Sequence, residues 1–170
     1  SLLGSLPERP QPSQKMFESL LLEALLNLDS SKEVFVEGES RKIGQLQVPD
    51  ALIHRMRASE CLLIEASLDT RVALLMDEYR HFFTDVAQLN SLLDCLVSLH
   101  SRERIAEWKA MAAAGDWSAL VARLLEEHYD PAYRRSAASN YPRLADAKVF
   151  PLSSADESAF AQLARQVVTA

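Results

Sequence analysis

Cys61-Leu62-Leu63-Ile64-Glu65 is the run that settles the fold class: four apolar residues in succession, closed by a carboxylate. A short unbroken apolar run of this kind suits a strand covered on both faces, as in a parallel sheet. Downstream, Asp69 opens a helix that carries Val72, Leu75, Met76 and Tyr79 at i, i+3, i+4 and i+7. Upstream, Pro49 suits the first turn of a helix that turns Leu52, Ile53 and Met56 inward. Val34-Phe35-Val36 reads as another short buried strand. Before it, Phe17, Leu20, Leu21, Ala24, Leu25 and Leu28 recur at helical spacing between about Ser13 and Leu28, giving one apolar face. The order α, β, α, β, α is the α/β pattern.

Beyond Tyr79 the chain turns helical. Thr84 is placed to cap a helix burying Val86, Leu89, Leu93 and Leu96. Ser101 caps another, with Ile105, Trp108 and Met111 inward, and Gly115 stops it. Asp116 opens a third, with Leu120, Val121, Leu124 and Leu125, halted near Asp130-Pro131. Val149-Phe150-Pro151-Leu152 then returns to strand, with Pro151 demoting it to an edge or a strand end. Ser154 and Glu157 have capping-box spacing before a helix that buries Phe160, Leu163, Ala164 and Val167. The reading is a helix-rich α/β chain in three parts: 1–82 in an α/β domain, 83–138 a helical subdomain, and 139–170 a final strand and helix rejoining the first part.

Composition narrows the classes. Four glycines in 170 residues argue against an all-β design built on tight turns, and no apolar run reaches the roughly 18 residues that span a bilayer. Ser1-Leu2-Leu3-Gly4-Ser5 lacks the basic and apolar regions of a signal peptide, so a cytoplasmic location is expected. Cys61 and Cys95 stand alone in apolar surroundings and read as small hydrophobes. The net charge of −6 repels nucleic acid as a whole, so RNA contact requires a local basic patch.

The chemistry concentrates in Val36-Glu37-Gly38-Glu39-Ser40-Arg41-Lys42-Ile43-Gly44, the most polar and least periodic segment beside an expected strand. Ligands of open α/β sheets sit beyond the carboxyl ends of strands. Glu37 and Glu39 are two apart, so an extended backbone points both to one side, where a carboxylate holds a metal-bound water or acts as a base. Arg41 and Lys42 supply charge for a phosphate. A solvated loop with a local ion pair fits the same residues. Gln11-Pro12-Ser13-Gln14-Lys15 offers either a plain helix cap or an anion site at a helix start. Tyr129-Asp130-Pro131-Ala132-Tyr133, followed by Arg134-Arg135, is either an aromatic and basic face for nucleic acid or a helix-breaking turn. His54, His81, His100 and His128 are scattered without metal-ligand spacing, and no metal site is expected.

Taken in order, Gln11-Pro12-Ser13-Gln14-Lys15-Met16-Phe17-Glu18, Val36 to Gly44, Met56-Arg57 and Tyr129 to Tyr133 resemble the tRNA 2-selenouridine synthase family, and the likeness runs from about Ser1 to Arg135. The resemblance implies an enzyme acting on the wobble uridine of tRNA. It exchanges the sulfur of 2-thiouridine for selenium from selenophosphate, and attaches a geranyl group from geranyl diphosphate. It further implies a rhodanese-like domain bearing the catalytic cysteine and a phosphate-binding loop, both upstream of this segment. No catalytic residue is therefore expected within 1–170, and the segment alone is expected to be inactive. By the same resemblance the fold is part of a P-loop-like, three-layer parallel sheet, and Gln14, Lys15, Glu37, Glu39, Ser40, Arg41 and Lys42 are the substrate- or phosphate-binding set. Arg102, Arg104, Arg134, Arg135 and Arg143 are the candidate tRNA contacts. A homodimer is expected from strands left without neighbours, with no membrane partner. Two rival readings are a non-catalytic helical interaction module and a kinase-like phosphotransferase segment, the latter drawing on Asp69-x-Arg71 behind its strand.

Overall fold

The computed structural model describes residues 11–38, 40–80, 83 and 85–169. The expectations resting on Thr84, Glu39, His81 and Ser1 to Gly4 lie outside them. Helix α1 (Gln14–Leu26) begins where Ser13 accepts a hydrogen bond from the Met16 N–H. Next come β1 (Lys42–Ile43) and β2 (Leu46–Gln47), an antiparallel hairpin whose two-residue turn is Gly44-Gln45. Gly44 has φ +60° and no described non-glycine residue has positive φ, the pattern of a turn that demands glycine at its first central position.

Helix α2 (Asp50–Ala58) leads into β3 (Leu62–Ala66), and α3 (Leu68–Glu78) follows from the Ser67 cap. Three helices, α4 (Val86–Asp94), α5 (Arg102–Ala114) and α6 (Trp117–Leu124), enclose the larger core. There Trp108 is fully buried with Leu93, Ile105, Ala112 and Leu120. Removing side chains of this size from water contributes about 1.5–3 kcal/mol each. Helix α7 (Asp130–Asn140) and a 3-10 turn, Pro142–Asp146, lead to β4 (Lys148–Leu152), and α8 (Glu157–Val168) closes the chain. β4 runs parallel to β3, in register from Leu62 opposite Lys148 to Ala66 opposite Leu152. A second core gathers Phe150 and Leu152 against Ala159 and Leu163 of α8. Helix α3 packs on α6 and so joins the strands to the helical core.

This is a helix-rich α/β chain with one small parallel and one small antiparallel sheet. Several local expectations are corrected. Val34-Phe35-Val36 is irregular and about half exposed, because no described strand lies beside it to complete a ladder. Helix α1 has no buried residue, so its apolar face is open. Asp130-Pro131 does not halt the helix before it. The chain passes through a π turn, Leu125–Tyr129, straight into α7, with Pro131 in its first turn. Asp85 caps α4 by accepting from the Gln88 N–H. Asp156, not Ser154, is the cap residue of α8, and the Ser154 hydroxyl bonds its carboxylate. Phe160 and Ala164 are exposed on that helix.

Candidate functional site

Two glutamine side chains build the base of the site. Gln14 accepts from the Gln47 N–H at 2.9 Å and donates to the Gln47 carbonyl at 2.8 Å. Gln11 does the same across the turn, accepting from the Gln45 N–H at 2.9 Å and donating to the Ile43 carbonyl at 2.7 Å. Each primary amide thus acts as one residue of an extra strand against the hairpin. A Cβ on Gly44 would stand 2.5 Å from the Gln11 amide oxygen, so that position needs glycine for space as well as for φ. The start of α1 and the hairpin are one unit.

This unit presents the basic pair. Arg41 meets Asp50 at 2.7 Å, in an exposed ion pair worth little to stability, while its carbonyl accepts from the Val48 N–H and prolongs the hairpin ladder. Lys42 and Lys15 are exposed and make no ion pair among the described residues. The Ser40 hydroxyl accepts from the Lys42 N–H at 3.0 Å. The Gln14 amide is already engaged by Gln47 and by Glu18. Glu37 lies elsewhere, within electrostatic reach of the Tyr141 hydroxyl. The structure therefore gathers Gln14, Ser40, Arg41 and Lys42 about the hairpin, and sets Glu37 towards the 3-10 turn.

The arginines proposed for RNA divide in two. Arg104 is tied into a network with Glu107, Glu127 and Arg123, and Arg143 pairs with Glu60 at 3.2 Å. Arg102, Arg134 and Arg135 are exposed and form no ion pair among the described residues, although Arg134 lies close enough to Asp130 to help lower its pKa.

Two arrangements escaped the sequence. Arg71 forks onto Asp130 at 3.0 and 2.5 Å, joining α3 to the start of α7. That bond and the attendant charge hold the Asp130 carboxyl below its usual range, against burial, and raise the guanidinium. The Asp69-x-Arg71 pattern thus spends its arginine on an internal latch. His100 Nε2 and His128 Nδ1 are 3.0 Å apart beside Trp108, and burial, then the nearness of His100, lowers the pKa of His128. No spacing signalled either pair. Tyr129 and Tyr133 do stack, with centroids 5.7 Å apart, and their i, i+4 spacing was legible. Among the described residues no group of three or more His, Cys, Asp or Glu could hold a metal ion, and no helix is long and apolar enough to cross a membrane.

The fold and the clamped basic hairpin define a class, an α/β segment with a helical core that offers cationic side chains beside a helix start. The family model described as the tRNA 2-selenouridine synthase AAA domain matches residues 1–92. The chain belongs to this tRNA 2-selenouridine synthase family. Over 74 residues it is 45% identical to the tRNA 2-selenouridine synthase of Shewanella halifaxensis, covering 42% of this chain and 20% of that protein. Over 73 residues it is 41% identical to the enzyme of the same name from Nitrosomonas europaea, covering 41% and 19%. The match thus spans about a fifth of the length of these curated relatives. No solved structure matches the chain.

Proposed function

We propose that this chain is part of a tRNA-modifying transferase that replaces the 2-thio sulfur of the wobble uridine with selenium from selenophosphate, and that also geranylates that sulfur from geranyl diphosphate. Family membership supports the tRNA-modifying role. The observation that supports the site is the glutamine clamp, which ties the hairpin that carries Lys42, with Arg41 just before it, to the start of α1. Cations held in this way suit the oxyanions of selenophosphate and of a diphosphate leaving group, because charge-assisted hydrogen bonds to phosphate are the strong ones and rigid placement spares reorganisation. Asp50 holds Arg41 in place until substrate arrives. Arg102, Arg134 and Arg135, with the stacked Tyr129 and Tyr133, supply the RNA-facing surface in this reading. The P-loop-like sheet, the upstream cysteine domain and a cytoplasmic location belong to the same proposal.

The test is made in the full-length parent enzyme. Arg41→Ala with Lys42→Ala is expected to lower kcat/KM for selenation by about 100-fold or more while leaving the melting temperature within a few degrees. A doubly substituted enzyme with normal turnover overturns the assignment of the hairpin.

A further inference from the structure

Side chains that bond backbone at the helix starts of this fold reach a neighbour close in sequence. Ser13, Ser67, Asp85 and Ser101 each accept from an N–H three residues ahead. Gln11 and Gln14 instead cross 32 to 34 residues, and each amide both accepts and donates. The hairpin they reach has two residues in each strand, and a two-stranded hairpin by itself is marginal in water. Burial of Leu46 and Val48 anchors its second half, whereas Lys42 and Ile43 of β1 are both exposed. Gln11 grips the hairpin where burial does not, bonding the Ile43 carbonyl at the end of β1 and the Gln45 N–H in the turn. Gln14 bonds both backbone groups of Gln47, the residue opposite Lys42 in register. Both N–H donors of the Gln14 amide are engaged, one by the Gln47 carbonyl and the other by the Glu18 carboxylate, so none is left for a substrate oxygen.

We propose that Gln11 and Gln14 are positioning residues of the oxyanion site: they touch no substrate and act through the hairpin backbone, fixing where Lys42 and Arg41 stand. The inference rests on the reading given above, in which those two cations meet the phosphate of selenophosphate and the diphosphate of the geranyl donor. Backbone held in this way presents the two side chains from one fixed origin, which lowers the ordering cost of binding. The requirement is chemical as well as steric. Each clamp must donate and accept together, which a primary amide does and a carboxylate, with acceptors alone, does not. Gly44 belongs to the same device, since a Cβ there would stand 2.5 Å from the Gln11 amide oxygen and 2.6 Å from its nitrogen.

The test is steady-state selenation by the full-length parent enzyme, with selenophosphate and tRNA varied separately. Gln14→Glu and Gln11→Glu are each expected to raise the KM for selenophosphate about tenfold, the effect of one lost hydrogen bond passed on to the site, and to leave the KM for tRNA within about twofold. Gln11 precedes α1, so its variant probes the hairpin even where Gln14→Glu disturbs the helix. A clamp that only stabilises the fold would lower kcat through the fraction folded and move neither KM. The decisive arm repeats both substitutions in the Arg41→Ala, Lys42→Ala background. Residues that act through those side chains are expected to cause no further loss there, whereas residues with a separate role multiply the defect. An unchanged selenophosphate KM in both glutamine variants, or a defect that multiplies in that background, overturns the positioning role. If the Arg41→Ala, Lys42→Ala enzyme is itself impaired, either result leaves the hairpin assignment standing. Normal turnover by that doubly substituted enzyme overturns the assignment of the hairpin, and the positioning role with it.

Discussion

Asp130 and Arg71 show how much one pair contributes when it ties two helices together. The carboxylate is held ionised by a forked guanidinium and both are mostly shielded. Asp130→Asn leaves a shielded cation facing a neutral amide, at a cost of about 1–3 kcal/mol after allowing for partial exposure. The sign with pH follows from the lowered pKa. The pair stabilises fully above the unfolded carboxyl value of 3.8 and is lost as pH falls below it. Urea unfolding of the chain and of Asp130→Asn, at pH 7 and at pH 3, is expected to show a gap that closes in acid. His128 acts in a higher window. Its pKa is lowered by burial and by His100, so the folded state favours the neutral ring. That contribution is present above the unfolded value of 6.5 and declines as pH falls through it. A drop in melting temperature between pH 7.5 and pH 5, flattened in His128→Gln, is the expected result.

Helix α1 has no buried side chain, so the glutamine contacts to the hairpin hold it. Gln14→Glu keeps an acceptor for the Gln47 N–H but sets a carboxylate oxygen against the Gln47 carbonyl. The expected outcome is fraying of α1, read as lost helical signal in circular dichroism and faster amide exchange at Gln47, with Trp108 fluorescence unchanged. The sequence made the helices legible wherever the signal is local. Ser101 does accept from the Arg104 N–H, and Gly115 does end α5 at φ +72°. It misled where an element depends on a distant neighbour. Val34-Phe35-Val36 has strand composition, yet a strand exists only if another chain segment lies beside it. The polar run Glu37 to Gly44 was singled out correctly as irregular in pattern, while its hairpin stayed hidden because each strand has only two residues. Its partners Gln11 and Gln14 were read as a helix cap or an anion site, and Gln14 as a substrate contact, not as a clamp on the hairpin. Side-chain amides standing in for backbone leave no periodicity to detect.

The molecule as a whole exposes much apolar surface. Leu20, Leu22 and Leu26 of α1, Val34 to Val36, and Ile64 with Val149 on the parallel pair are all open. Both outer edges of the β3–β4 pair lack a described strand. Such edges recruit further strands, and a net charge of −6 is a weak deterrent at physiological salt. The 170-residue chain is expected to self-associate at micromolar concentration, by light scattering. Leu26→Lys with Ile64→Lys is expected to shift it to monomer, and a monomeric parent chain would place those surfaces outside any self-contact.

The parallel pairing of β3 with β4 also dictates an order of events in time. The two strands can meet only after α3 to α7 have brought the chain back, because every residue between Ser67 and Ala147 lies inside the loop they close. Closing a long loop is entropically costly, and contacts distant in sequence form slowly. The Trp108 core draws on neighbouring helices alone and needs no such closure. During synthesis, therefore, α4 to α6 can consolidate while β3 still waits unpaired. A ribosome pausing before Lys148 would leave that apolar strand uncovered, at the moment when the nascent chain is most open to a chaperone or to misassembly.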